Sequence, residues 1–110
     1  MTKTPSPLTL ITGGSRGLGR NMALAIARQG HDVILTYRSQ QAEAAAVVAE
    51  IEALGQRAAA LPLDVGQSDT FDAFVDAARA QLTSWGRDRF DHLVNNAGTV
   101  SYTHLTLPTN

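Results

Sequence analysis

Residues 12–19 read TGGSRGLG, and they follow the apolar run Leu8 to Ile11. A strand that ends in a glycine-rich turn and continues into a helix forms a cradle for a pyrophosphate. The glycines permit a sharp turn, let the backbone approach an anion closely and allow the helix to pack against the strand. The stretch therefore predicts a dinucleotide site at the end of the first strand, if the rest of the chain supplies the other parts.

The composition is that of an ordinary globular protein. The chain has 110 residues, enough for one small domain, with 44% apolar and 17% charged residues. A formal net charge of -1 and the lack of a basic cluster argue against nucleic acid or an anionic membrane as a partner. The absence of cysteine excludes disulfides and thiolate metal sites. With no signal-peptide pattern and no apolar run of membrane-spanning length, we expect a cytoplasmic protein.

Four short apolar runs alternate with three helical patterns, which predicts an α/β fold. The runs are continuously apolar, as in a parallel sheet covered on both faces. Right-handed crossovers and a glycine loop after the first strand predict a doubly wound sheet of order 3-2-1-4, with the first two helices on one face and the third on the other. The predicted strands are Leu8 to Thr12, Val33 to Thr36, Ala58 to Leu63 and His92 to Asn95, and the predicted helices are Gly17 to Gln29, Gln41 to Leu54 and one beginning near Ser68.

The spacing of apolar residues predicts which face of each helix is buried. Gly30 and Gly55 end the first two helices, and Ser68 is the expected N-cap of the third. The aromatic residues of the third helix are interpreted as core packing. The predicted buried positions are Met22, Ala25 and Ile26 in the first helix, Ala44, Val47, Val48, Ile51 and Leu54 in the second, and Phe71, Phe74, Val75, Ala78, Leu82 and Trp85 in the third.

Residues 14–19 also fit the opening GxxxxG of a P-loop. That motif continues with Lys and then Ser or Thr, which reach the phosphates and Mg²⁺ of a nucleoside triphosphate. This chain continues instead with Arg20 and Asn21, which disfavours a nucleotide triphosphatase.

Three motifs in order resemble those of the short-chain dehydrogenase/reductase family. Residues 12–19 match its TGxxxGxG pattern, Asp64 and Val65 follow the third strand, and residues 95–98 read NNAG. The resemblance covers residues 8–99 and implies the N-terminal half of a Rossmann fold that binds a nicotinamide dinucleotide. It implies that Asp64 accepts from the adenine amino group, that Val65 lies against the adenine ring, and that the NNAG segment packs beside the ribose. The implied cofactor contacts are Gly13, Ser15, Arg16, Gly17, Leu18, Gly19, Arg38, Ser39, Asp64, Val65, Asn96, Ala97 and Gly98.

The residues after the second strand favour NADP(H) over NAD(H). An NAD enzyme usually has an acidic residue there, which accepts from the ribose 2′-hydroxyl. This chain has Arg38 and Ser39, and its next acid is Glu43, inside the second helix. A guanidinium can bind a 2′-phosphate through paired charged hydrogen bonds. Arg16 resembles a basic residue of NADP-preferring members of the family; the alternative is that both arginines are solvated surface charges.

The catalytic residues that the resemblance implies lie beyond the NNAG segment: a Ser, a Tyr followed four positions later by Lys, and an Asn that completes the proton relay. In this chain Tyr102 is followed at that distance by Thr106, so no catalytic residue is assigned, and the chain by itself is expected to be inactive. The three histidines lack ligand spacing, so no metal is assigned either. Two functions stay open. One is the cofactor-binding half of an NADP(H)-dependent oxidoreductase acting on a small carbonyl or alcohol, homo-oligomeric at full length; the other is a non-catalytic dinucleotide-binding or redox-sensing module.

Residues 100–109 read VSYTHLTLPT, without a helical stripe that would continue the pattern. They match the translation of a transposase-type sequencing adapter, GTC TCT TAT ACA CAT CTG ACG CTG CCG ACG. We therefore expect residues 1–7 to be an N-terminal tail, residues 8–99 a truncated NADP-binding domain and residues 100–110 a non-native tail. A genuine short tail is the alternative.

Resequencing the source locus tests the adapter interpretation. We expect the genomic frame to diverge from this sequence after about residue 99, because the adapter match begins at Val100. An uninterrupted frame that encodes residues 100–110 and then a stop codon would refute this expectation.

Overall fold

A computed structural model describes residues 6–13, 17–63, 69–87 and 89–95 of the chain. In these residues four parallel strands form one sheet in the order β3-β2-β1-β4, which confirms the predicted topology. The predicted bounds of the described elements differ from the observed ones by no more than a residue at any end. The elements are β1 (Leu8–Thr12), α1 (Gly17–Arg28), β2 (Asp32–Tyr37), α2 (Gln41–Ala53), β3 (Ala58–Pro62), α3 (Asp69–Ser84) and β4 (His92–Asn95). Ser68, the predicted N-cap of α3, lies outside the described residues.

The central strand β1 is flanked on both sides. Leu10 is in register with Ile34 of β2 and with Leu93 of β4. All five residues of β1 are buried, as a strand between two neighbours and two helical layers must be. Because the strands are parallel, the carboxyl ends of all four lie on one edge of the sheet, which we call the carboxyl edge; the opposite one is the amino edge.

Two separate cores lie on the two faces of the sheet. On one face, buried residues of α1 and α2 pack against Ile11, Val33 and Leu35. On the other, Phe74 and its neighbours in α3 pack against residues such as Leu10 and Ile34. This arrangement confirms the predicted assignment of the first two helices to one face and of the third to the other.

The predicted buried face of α1 was wrong. Its buried residues are Gly19, Ala23, Leu24 and Ala27, whereas the predicted Ala25 is exposed and Met22 and Ile26 are only partly buried. Three of these four buried residues are glycine or alanine, which let the helix approach the sheet closely, and Leu24 is the larger side chain buried with them.

The other two helices match their predicted faces more closely. In α2, Ala44, Val47 and Ile51 are buried, but Leu54 is 44% exposed because it is the C-cap residue, beyond the last helical turn. In α3, Phe74, Ala78 and Leu82 are buried and Val75 and Trp85 pack against the same core, while nothing is described of the Phe71 side chain.

Each described helix ends in the same glycine motif. Gly30, with φ of +94°, donates its N–H to the Ala27 carbonyl at 2.9 Å, and the next N–H, of His31, lies 3.4 Å from the Ile26 carbonyl. These two bonds define a Schellman motif, which satisfies carbonyls left open at a helix end. Gly55 and Gly86 end α2 and α3 in the same way. The chain therefore turns sharply back toward the sheet each time it reaches the amino edge.

A buried carboxylate joins these three turns. Asp32 is 6% exposed. Its Oδ1 accepts from the Gln56 side-chain amide at 3.0 Å and from the Arg57 backbone N–H at 2.9 Å, and its Oδ2 accepts from the Arg87 guanidinium at 2.8 Å. One carboxylate thus binds the chain after α2 and the chain after α3 to the first residue of β2.

We expect Asp32→Asn to lower the free energy of unfolding by about 2–3 kcal/mol. The change removes the 2.8 Å ion pair of Arg87, which then keeps the longer contact with Asp91 at 3.9 Å, and it places an amide where the carboxylate accepted three hydrogen bonds. Asp76→Asn, on the exposed face of α3, is the control and should cost less than about 0.5 kcal/mol. Urea denaturation of the purified proteins measures both. Equal changes in the two variants would contradict the assigned role of Asp32.

Candidate dinucleotide site

Both described glycines that flank residues 14–16, in the turn that leaves β1, lie in the left-handed backbone region. Gly13 has φ of +71°, and Gly17, the first residue of α1, has φ of +61°. Residues other than glycine rarely adopt this backbone conformation. A Cβ built on Gly17 would meet nothing within 4 Å, so the backbone conformation, and not crowding, requires glycine there.

Polar contacts fasten this turn to both neighbouring strands. The Gly13 N–H donates to Thr36 Oγ1 of β2 at 2.9 Å, and Thr36 is 2% exposed. On the other side, Thr12 Oγ1 donates to the Val94 carbonyl of β4 over 3.5 Å. The Gly13 amide is thus engaged by the protein, so Gly13 contributes the turn itself, and the donors available for an anion lie further along, at the start of α1.

The start of α1 is suited to an anion. The first amides of a helix lack partners within the helix and carry partial positive charge. The first turn of α1 contains no acidic residue that would repel a phosphate. Of the predicted contacts in this turn, Gly19 is buried, where it allows α1 to pack closely, and Leu18 is 68% exposed.

Arg20, the residue at the P-loop lysine position, has another partner. Its Nη2 donates to both carboxylate oxygens of Glu50 in α2, at 2.8 and 2.7 Å. Both side chains are 41% exposed, so the pair contributes well under 1 kcal/mol on the scale of surface salt bridges. Its main effect is to direct Arg20 toward α2, which is consistent with the prediction that the turn is not a P-loop.

The exit from β2 lies beside the glycine turn, because β2 pairs with β1 in register up to Leu35. Arg38 and Ser39 follow β2 directly, and both are exposed. No acidic residue stands between them and Glu43, which is exposed in the first turn of α2. A cationic and a hydroxyl side chain therefore occupy the segment where an NAD enzyme has a carboxylate.

The other predicted contacts lie outside the described residues. The strands that lead to them end on the carboxyl edge, β3 at Pro62 and β4 at Asn95. The topology therefore brings all four strand exits to the edge that carries the glycine turn. The predicted residues outside the description are Ser15, Arg16, Asp64, Val65, Asn96, Ala97 and Gly98.

Other polar groups are clustered at the amino edge, away from this site. The rings of His31 and His92 have centroids 5.5 Å apart, and His31 Nδ1 is hydrogen-bonded to Thr9 Oγ1 at 3.0 Å. A groove of about 520 Å³ opens where β3 begins, between the ends of α2 and α3.

Among the residues that the structure describes, there is no cluster of three side chains able to hold a metal, and no helix is long and apolar enough to cross a bilayer.

Comparison with known proteins agrees with this geometry. Residues 7–108 match the family model described as short chain dehydrogenase. The 3-oxoacyl-[acyl-carrier-protein] reductase of Synechocystis sp. is 38% identical over 105 residues, which are 96% of this chain and 40% of that protein. The L-rhamnose 1-dehydrogenase (NAD(P)(+)) of a Sphingomonas strain is 43% identical over 93 residues, 84% of this chain and 35% of that one.

Among solved structures, a short-chain dehydrogenase/reductase of Sinorhizobium meliloti 1021 superposes with a TM-score of 0.75 and 36% identity, over 90% of this chain and 43% of the other. The chain thus spans about 40% of the length of the curated relatives it matches. The matched part is the half that carries the glycine turn and the first four strands.

Proposed function

This chain belongs to the short-chain dehydrogenase family, and we propose that it is the cofactor-binding half of an NADP(H)-dependent oxidoreductase that interconverts a carbonyl and an alcohol by hydride transfer. The observation that carries the proposal is the glycine turn between β1 and α1, which leads into a helix start without acidic residues and lies beside the exit of β2, where an exposed arginine follows the strand. Family membership is established by the match over residues 7–108; the cofactor choice and the reaction are the proposed part.

The start of α1 is suited to bind the phosphates of the cofactor. Amides of the first helical turn donate to an anion, and the helix dipole favours negative charge at this end. Gly13 and Gly17 hold the left-handed conformations that bring the chain from the strand into the helix. We assign the pyrophosphate to this turn, with Ser15, Leu18 and Gly19 among its neighbours, and Asp64, Val65 and residues 96–98 to the adenine and ribose, as the family resemblance implies.

The choice of NADP(H) depends on this chain's own residues, because the printed name of the Sphingomonas relative covers both nicotinamide dinucleotides. Arg38 and Ser39 are exposed at the exit of β2. A guanidinium attracts a dianionic 2′-phosphate and binds it through two hydrogen bonds, and the hydroxyl adds a donor. A carboxylate at this position would repel that phosphate, and the described segment has none before Glu43. Arg16 is assigned to the same phosphate from the sequence motif.

The described residues fit a bound dinucleotide, whose nicotinamide ring supplies or accepts the hydride. This chain's own residues bind and orient the cofactor. The catalytic groups of the family, a Ser that orients the carbonyl and a Tyr-x-x-x-Lys whose Tyr transfers the proton, are assigned to the part of the protein beyond the matched 40%. The named relatives act on substrates as different as a 3-oxoacyl group and L-rhamnose, so the proposed substrate class is a carbonyl compound or its alcohol.

Arg38→Ala in the whole protein should weaken NADPH binding about 10- to 100-fold and change NADH binding less than about threefold, because only NADPH carries the 2′-phosphate. Arg28→Ala is the matched control: it removes an exposed arginine from the far end of α1, near the amino edge. Dissociation constants from fluorescence titration with both cofactors test this prediction. An NADH affinity in the native protein equal to or above that for NADPH would refute the proposed preference.

The alternative, a non-catalytic dinucleotide-binding or redox-sensing module, makes a different prediction for the downstream reading frame. The reading frame of a catalytic protein should encode a Ser and then Tyr-x-x-x-Lys after a further strand. The protein itself should oxidise NADPH in the presence of a suitable carbonyl compound. A whole protein that binds the cofactor but has neither the motif nor turnover would favour the sensing module.

A further inference from the structure

We propose that Thr36 is a positioning residue of the dinucleotide site: its buried hydroxyl holds the Gly13 amide and thereby sets the direction in which the glycine turn enters α1. The inference rests on the proposed function, because it concerns how the same turn presents its later amides to a pyrophosphate. Thr36 belongs to β2, and neither the sequence motif nor the resemblance assigns it a role.

The contact itself is short and protected. Gly13 N and Thr36 Oγ1 are 2.9 Å apart, and Thr36 is 2% exposed, so water does not compete readily for the bond. Gly13 is the first residue after β1, at the point where the chain leaves the ladder with φ of +71°. The bond therefore acts on the residue that decides where the turn begins.

A threonine side chain is well suited to hold this acceptor in place. Its β-branched carbon restricts rotation about χ1, so the hydroxyl oxygen keeps a defined position. Thr36 is also fixed through its backbone, since it lies in the register of β2 with Leu61 of β3. A valine has nearly the same shape without the oxygen, so it would remove this acceptor from the Gly13 amide, and the turn would no longer be held to β2 by this bond.

The position of Thr36 connects the two parts of the proposed site. Arg38, assigned to the 2′-phosphate, comes two residues later on the same chain segment. The end of β2 thus supplies a fixed support for the glycine turn, and the residue directly after the strand supplies the cationic group. Loss of the support should affect binding of the pyrophosphate, which NADPH and NADH share, and leave the preference between them unchanged.

The test compares three variants of the whole protein by titration with NADPH and with NADH. Thr36→Val should weaken both cofactors about tenfold, which is the effect of losing one buried hydrogen bond. Thr36→Ser restores the hydroxyl and should bind within about threefold of the native protein. Thr9→Val is the matched control, since Thr9 is equally buried, on β1, and its hydroxyl is bonded to His31 at the amino edge. It should leave both affinities unchanged.

Equal affinities in Thr36→Val and the native protein would overturn the inference, and so would a loss that Thr36→Ser does not rescue or that Thr9→Val shares. A selective loss of NADPH would also overturn it, since that would place Thr36 at the 2′-phosphate.

Amide hydrogen exchange of the protein without ligand gives a second readout that needs neither a variant nor a cofactor. The Gly13 amide should exchange at least about tenfold more slowly than an unprotected amide, because it must break its hydrogen bond to the buried Thr36 hydroxyl before it exchanges. Exchange at the unprotected rate would contradict the Thr36 bond. A native protein that protects Gly13 but binds no nicotinamide dinucleotide would contradict the proposed function and leave the Thr36 contact in place.

Discussion

Parallel pairing of the strands is the constraint on which this structure depends. After each strand the chain returns to the amino edge through a helix before the next strand begins. The carboxyl ends of β1, β2, β3 and β4 therefore all lie on one edge. Residues far apart in the sequence are thereby brought together without any direct attraction between them. The glycine turn after β1 lies between the exits of its two neighbours, β2 and β4, and this position makes it the centre of the site.

The two edges of the sheet serve different purposes. At the amino edge, glycine motifs end the helices and the Asp32 carboxylate binds the returning segments together, so polar groups there are satisfied by the protein itself. At the carboxyl edge, the Thr36 hydroxyl accepts a hydrogen bond from the Gly13 amide. The start of α1 and the exposed Arg38 also lie at this edge. The contacts that stabilise the fold at the amino edge and the proposed dinucleotide site thus lie at opposite ends of the same strands.

Local patterns were sufficient to predict the strand order and the helix faces that bury larger residues. Continuous apolar runs indicated a parallel sheet, and the helical spacing of Val47, Ile51 and Phe74 identified true core positions. The prediction failed for α1, where Ala23 and Ala27 carry little apolar signal yet face the sheet, and where the buried Leu24 was missed with them.

The polar contacts were beyond such patterns because their partners are distant in sequence. Asp32 and Arg87 are 55 positions apart, and Gly13 and Thr36 are 23 apart, so only the folded chain brings them within hydrogen-bonding distance. The glycines of the turn were predictable because a motif records the backbone conformation that they must adopt. The most direct test of the central claim is a crystal structure of the whole protein with NADPH. The pyrophosphate oxygens should lie about 3 Å from the amides at the start of α1, with the 2′-phosphate against Arg38. A cofactor bound elsewhere, or a first turn of α1 that makes no contact with the phosphates, would contradict this account.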